Sequence, residues 1–259
     1  MDFLMDTLFR TMTSHVWVFT RIGGFLMAMP VVGTRWVPQR VRLLAAVAMT
    51  VALVPMLPEP EAIPLLSLNG FLVTIQQVII GMSMGFMLNV FIQIFNFAGF
   101  LIGMQSSLGF AAMVDPNNGQ QVPVVAHYYQ IFSLLLFFLF DGHLIMFQIL
   151  FYSFESLPIA LKTFAALDFE SVARWTSTIF KSGLLMALSG IVALMLINFS
   201  FGVMTRASPQ LNIFSVGFPI TMLCGIFILW LTVINVYHYY PHLWSTLEDK
   251  VCAFTLQSC

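Results

Sequence analysis

Phe71-Leu-Val-Thr-Ile-Gln-Gln-Val-Ile-Ile-Gly-Met-Ser-Met-Gly-Phe-Met-Leu-Asn-Val-Phe-Ile-Gln-Ile-Phe-Asn-Phe-Ala-Gly-Phe-Leu-Ile-Gly103 is a run of 33 residues without a proline or a charged side chain. As one α-helix it would reach about 50 Å, against a bilayer hydrocarbon core of about 30 Å. Such a helix must tilt strongly, break, or project beyond the bilayer. The run ends in a polar, glycine-bearing break that continues Met104-Gln-Ser-Ser-Leu-Gly-Phe-Ala-Ala-Met-Val-Asp-Pro-Asn-Asn-Gly-Gln-Gln-Val-Pro123. Within it lies Asp115, the one charged residue among the 79 between Glu61 and Asp141. Irregular backbone cannot face lipid, because each unpaired N–H or C=O would cost several kcal/mol. The break is therefore expected to be buried in protein or to line a cavity, which makes it a candidate gate or binding element.

Composition supports a membrane-type chain. Of its residues, 59% are hydrophobic and 8% charged, and the mean hydropathy is +0.93. A soluble domain carries roughly 25% charged residues and needs polar surface to cover its core. The net charge of −1 provides no field that would attract nucleic acid or acidic substrates. Cys224, Cys252 and Cys259 lack a C-x-x-C spacing; Cys252 and Cys259 near the C-terminus could pair, but free thiols are the expected reading. The N-terminus, Met-Asp-Phe-Leu-Met-Asp, has no basic region of a secretory signal, so no removable segment is expected.

Apolar runs predict about six helices, near 12–33, 41–57, 71–103, 124–151, 183–204 and 211–240. No series of strands is present, so the expected class is all-α: long hydrophobic helices and helical hairpins with a central loop. Pro55, Pro58, Pro60 and Pro64, with Glu59 and Glu61, make a stiff acidic connection. If the spans alternate, Arg35, Arg40, Arg42 and Arg206 share one side and Arg10, Lys162, Arg174, Lys181 and Lys250 the other, so the positive-inside rule sets no orientation. An over-long helix and an undecided charge bias both suit apolar surfaces that meet partner subunits in place of lipid.

On the long helix Gln77, Gly81, Gly85, Asn89, Gln93, Asn96, Gly99 and Gly103 fall within an arc of roughly 160° at 100° per residue. Gly81/Gly85 and Gly99/Gly103 are small-x-x-x-small pairs, which let a second backbone approach closely. The stripe reads as a helix–helix interface or as the wall of a passage. Arg21, inside the first apolar segment, must find an acid, a cluster of carbonyls or the interface. Arg206, at a break between helices, either snorkels or meets another subunit.

Catalytic signals are sparse. His238 and His242 stand four apart but without H-E-x-x-H, and read with Trp244 as an interfacial aromatic belt. Asp141-Gly142-His143 reads as a helix-breaking turn, with a proton relay as the minority reading. No nucleophile elbow, phosphate loop or metal motif is found.

Several blocks resemble a known family. Phe97-Ala-Gly-Phe-Leu-Ile-Gly-Met-Gln105, Gly109-Phe-Ala-Ala-Met-Val-Asp-Pro116, Gln121-Val-Pro123 and Gly142-His143 are similar to the flagellar export-gate family FliR, with SctT as its virulence-secretion counterpart. Asn198-Phe-Ser-Phe-Gly-Val-Met-Thr-Arg-Ala-Ser-Pro-Gln-Leu-Asn-Ile213, Gly217-Phe-Pro219, Arg21-x-x-Gly24, Pro30 and Pro38-x-Arg40 resemble the same family, in order along nearly the whole chain.

That resemblance implies a non-enzymatic subunit of a type III export gate, without cofactor or metal, in the bacterial inner membrane at the flagellar basal body. The implied partners are P-type and Q-type gate subunits, the B-type export switch protein and unfolded exported substrates. It also implies a P-type-like part over about residues 1–180 and a Q-type-like helical hairpin over about 181–259. A loop at about 105–121 would plug the closed pore, through Gln105, Leu108, Gly109, Phe110, Met113, Asp115 and Pro116. Gly81, Gly85, Asn89, Gln93, Asn96, Gly99, Gly103 and Arg206 would pack subunits together. Two rival functions are a small-molecule secondary transporter, which needs corresponding broken segments in two halves, and an intramembrane enzyme using His127, Asp141 and His143.

Overall fold

A computed structural model describes residues 2–34, 36–57, 63–110, 112–114, 121–207 and 217–257. The chain is almost wholly helical. Its helices are α1 (Asp2–Ala28), α2 (Gln39–Leu53), α3 (Leu68–Gln105), α4 (Val124–Leu139), α5 (Gly142–Ser156), α6 (Phe169–Thr176), α7 (Thr178–Ala207) and α8 (Phe218–Phe254). Two three-residue strands, β1 (Ala112–Val114) and β2 (Gln121–Pro123), lie between α3 and α4.

The expected run 71–103 is one unbroken helix of 38 residues, about 57 Å long at 1.5 Å per residue. The apolar run 124–151 is two helices, parted at Asp141-Gly142-His143, which the sequence reads as a helix-breaking turn. Asp141 sits in the left-handed region at φ 53°, ψ 24°, and its carbonyl accepts from the Leu144 and Ile145 amides as α5 begins. Asp adopts this conformation more readily than bulky residues do, so the break is written at that position. The last helix runs past its expected end at 240, through Pro241, to Phe254. Among the described residues four helices are long and apolar enough to cross a membrane, or up to five if α4 and α5 make one broken span.

The chain divides into two compact units. The first holds residues 1–89, 141–175 and 246–259, so it contains α1, α2, the first part of α3, α5 and most of α6. Here α1 lies hard against α3. A Cβ on Gly85 would stand 2.7 Å from the Phe25 carbonyl oxygen, and one on Gly24 2.7 Å from that of Val78. A Cβ on Gly81 would collide with the Arg21 carbonyl. Glycine on both helices lets the backbones meet. Trp17 Nε1 donates to Thr74 Oγ1 at 3.1 Å across the same contact, and Trp175 Nε1 donates to the Met87 carbonyl at 3.0 Å.

The second unit holds residues 90–140 and 176–245. Its centre is aromatic. Phe91, Phe95, Phe137, Tyr240 and Trp244 are all buried, and Phe91 meets Tyr240 and Trp244 edge-on at 5.2 and 5.5 Å between centroids. Trp244 is thus a core residue and not part of the expected interfacial belt. Tyr240 and Trp244 are four apart on one helical face and stack at 6.3 Å, while His238 and His242 lie on the exposed side. Glycines again mark the crossings. A Cβ on Gly99 would stand 2.8 Å from the Val125 carbonyl of α4, and one on Gly183 2.8 Å from Phe97 Cδ1 of α3.

At Gly81, Gly85, Gly99 and Gly103 the close neighbour is therefore this chain's own α1 or α4. Leucine at Gly85 or Gly99 must displace backbone, not a flexible side-chain tip. Either substitution is expected to cost on the order of 3 kcal/mol, at the upper end of overpacking, and to lower the amount of folded chain recovered in mild detergent at least fivefold. Wild-type recovery of both variants would refute this reading.

Cys252 is disulfide-bonded, contrary to the free-thiol expectation. Its partner lies outside the described residues, and Cys224 is free.

Candidate gate segment and a buried arginine

The candidate gate segment belongs to the second unit, and its root is held by side chains from two other helices. The last turn of α3 leaves carbonyls without intrahelical donors. One of them, on Gln105, accepts from Asn198 Nδ2 of α7 at 3.1 Å. Ser106 is fully buried, and its hydroxyl turns back to the Gly103 carbonyl at 3.1 Å. Gly225 of α8 lies directly over it, so that any Cβ there would strike Ser106 Cβ. Ser107 takes φ 60°, the left-handed position that commonly ends a helix and usually belongs to glycine. Its hydroxyl is 3.0 Å from Thr221 Oγ1 of α8. Three consecutive residues are thus fixed to α7 or α8.

Beyond the root, Leu108–Phe110 forms one 3-10 turn. A Cβ on Gly109 would come within 2.8 Å of Met104 Sδ, so the turn folds tightly onto the helix it leaves. β1 then pairs antiparallel with β2, with Ala112 opposite Pro123, Met113 opposite Val122 and Val114 opposite Gln121. This pairing answers the question raised by the sequence. Part of the irregular backbone finds its partners in a short ribbon, as buried peptide groups must.

Of the expected plug residues, Gln105, Leu108 and Gly109 are described in full and are partly buried. Phe110 and Met113 are placed by backbone, in the 3-10 turn and in β1. Asp115 and Pro116 lie outside the described residues. Asn198, Thr221 and Gly225 were not singled out as anchors from the sequence. The available signal was an Asn, a Thr and a Gly within otherwise apolar helices. Deeper in the unit Tyr129 OH lies 2.5 Å from Thr232 Oγ1, and Asn96 Nδ2 donates to Gln130 Oε1 at 3.1 Å. Asn89 and Gln93 of the stripe are partly buried, and Arg206 is exposed in the last turn of α7, where a cation suits the helix dipole.

The first unit contains a second polar centre. Arg21 is wholly buried. Its Nε donates to Gln77 Oε1 at 2.7 Å, Nη1 to the Ser153 carbonyl at 2.7 Å and to Ser153 Oγ at 3.2 Å, and Nη2 to the Leu157 carbonyl at 2.8 Å. The guanidinium carbon lies 4.2 Å from the centre of the Phe154 ring. All these acceptors are neutral. Of the three destinations the sequence allowed, the arginine has found the carbonyl cluster. Ser153 and Leu157 stand at the C-terminus of α5, where the helix dipole places partial negative charge; the Ser153 carbonyl also accepts from the Leu157 amide at 3.0 Å. One planar, five-donor group therefore ends a helix inside apolar protein and ties it to α1 and α3. Among the described residues no three His, Cys, Asp or Glu side chains form a metal-binding group.

Over residues 12–247 the sequence matches the family described as Bacterial export proteins, family 1. The chain belongs to this family. It is 38% identical to the Flagellar biosynthetic protein FliR of Pectobacterium carotovorum subsp. carotovorum over 93% of this chain and 92% of that protein. It is 33% identical to the Flagellar biosynthetic protein FliR of Escherichia coli (strain K12) over 90% of this chain and 89% of that one. The like-named protein of Bacillus subtilis (strain 168) is 24% identical over 83% and 84%. The match includes the gate segment, the α7 and α8 anchors and Arg21, so these features lie within the region common to the family.

Proposed function

We propose that this chain is a non-enzymatic subunit of the flagellar protein-export gate in the bacterial inner membrane. It joins P-type and Q-type subunits around a conduit for unfolded flagellar proteins, in contact with the B-type export switch protein. The segment from Gln105 to Gln121 acts as the stopper of the closed conduit. The observation that carries the stopper reading is the root: three residues held by Asn198, Thr221 and Gly225, followed at once by a glycine-bearing turn and ribbon. A stopper needs a fixed base and a body of weak, non-directional contacts that yields to a passing chain. Leu108, Phe110 and Met113 have that chemistry, and methionine adapts to irregular gaps.

Exposed surface supports the assembly reading. Three-fifths of the apolar stretch of α3 is buried, yet only 22% of that of α6–α7 and 28% of that of α8. Phe180, Leu188, Met195 and Phe199 of α7 are exposed, as are Leu223, Phe227 and Trp230 of α8. We assign these faces to sibling subunits and propose that Asn89, Gln93 and Arg206 also take part in subunit packing. The division near residue 180 into P-type-like and Q-type-like parts belongs to the same proposal.

Affinity purification in mild detergent, followed by mass spectrometry of the intact complex, tests the proposal. A stoichiometric set of small apolar gate subunits is expected. A pure monomer, or turnover of a small molecule by that monomer, would end it.

A further inference from the structure

Arg40 and Arg42 stand in the first turn of α2, the wrong end of a helix for a cation. No acidic residue occupies that turn, and Pro38 at the N-cap offers no side-chain cap. The sequence holds no Asp or Glu from residue 7 to 58. Arg42 is used internally. Its Nη2 donates to the carbonyls of Thr34 (2.5 Å) and Val37 (2.9 Å), closing the turn between α1 and α2. Arg40 is exposed, and the turn also presents Trp36 at 69% exposure.

Below Arg40 on the same helical face lie Leu44, Val47 and Val51, at i+4, i+7 and i+11, all exposed. At 100° per residue the four positions fall within about 60° of one another. From Arg40 to Val51 the stripe is about 16 Å long at 1.5 Å per residue. One leaflet of hydrocarbon is about 15 Å deep, half of a core about 30 Å thick. A cation and an indole at one end of an apolar stripe one leaflet long match the shape and charge of one lipid. The indole belongs at headgroup depth, the arginine at the phosphate, the stripe against an acyl chain.

We infer that the α1–α2 turn and the outer stripe of α2 form a binding surface for an anionic phospholipid. This surface meets lipid where α7 and α8 meet protein. The inference stands apart from the gate reading, since it uses neither the conduit nor the segment after α3.

The test places the photo-crosslinker p-benzoylphenylalanine at position 36 of the full chain, expressed in cells that carry the whole export apparatus. After irradiation, the modified peptide is expected to carry a phospholipid, with phosphatidylglycerol enriched over its share of the membrane. One basic residue near an anionic surface contributes about 1 kcal/mol, so Arg40→Glu is expected to lower that enrichment about fivefold or more. Arg40→Lys is expected to keep it. An adduct to another protein, or lipid adducts in bulk proportion that ignore Arg40→Glu, would overturn the inference. A second measurement guards against a misfolded variant. The wild-type complex, stripped of lipid and offered phosphatidylglycerol or phosphatidylethanolamine in separate native mass spectra, is expected to retain the former, and equal retention would count against the site.

Discussion

Arg21→Met is expected to remove the chain from the membrane fraction almost entirely. The substitution keeps apolar volume but withdraws the donors from Gln77 Oε1 and from the Leu157 carbonyl, and one of two from the Ser153 carbonyl, which keeps the Leu157 amide; all three residues are buried. Each buried acceptor left without a partner costs about 1–3 kcal/mol, and two are left so, a loss of about 2–6 kcal/mol. Proteins are stable by about 5–15 kcal/mol, so this loss is a large fraction of the whole. Arg21→Lys retains the charge but carries its three donors on one nitrogen, which cannot span acceptors spread along a planar fork. An intermediate level is expected from it. Ser153→Ala removes the 3.2 Å contact and the hydroxyl's own bond to the Leu150 carbonyl but leaves the Ser153 carbonyl to Arg21, so near wild-type behaviour is expected. Chain abundance, melting in detergent and swarming on soft agar read the series. If Arg21→Met accumulates and swarms like wild type, the carbonyls have other donors and the centre is dispensable.

The helices were legible because their signal is cumulative. Thirty-three apolar residues without a proline admit few structures, and α3 is the helix they predict. The stripe of small residues also carried its meaning, since Gly81, Gly85, Gly99 and Gly103 all sit at close helix contacts. What the stripe does not encode is whose helix fills the groove, because a glycine accepts a neighbour from its own chain as readily as from another. The break at Asp141-Gly142-His143 was legible in that tripeptide although the apolar run passes over it, because one left-handed residue suffices to end a helix. The end of α8 was not legible: the apolar run stops near 240, yet the helix continues to Phe254. The anchors of the gate root were illegible for a different reason. Gln105 and Asn198 are 93 residues apart in sequence, Ser107 and Thr221 are 114 apart, and each pair meets only once α7 and α8 have packed. Arg21 marked itself as needing partners, but two of its acceptors are backbone carbonyls, which every residue possesses and no sequence advertises.

Shortening the segment between 106 and 118, or replacing Phe110 and Met113 with glycine, is expected to make cells leak small ions. The physical reason lies in the division of labour along the segment. Hydrogen bonds from α7 and α8 hold Gln105 and Ser107, whereas apolar side chains alone would fill the conduit. Removing bulk from the second part leaves the base in place with nothing to occlude, so leak is expected to rise severalfold while the complex still assembles. Thr221→Val and Asn198→Leu act on the base. Asn198→Leu deletes the bond to the Gln105 carbonyl, and Thr221→Val the bond to Ser107 together with the hydroxyl's bond to the Phe218 carbonyl. At about 1 kcal/mol per bond, each is expected to give a smaller leak with the body of the stopper intact. Entry of an impermeant dye, or conductance of the purified complex in a planar bilayer, ranks the four variants. The order expected is deletion, then the double glycine variant, then the two root variants, then wild type. Leak from the root variants equal to that from the deletion would place the seal at the end of α3 and not in the turn and ribbon. Tight membranes in all four would leave the segment a static connection and remove the stopper from the account of this protein.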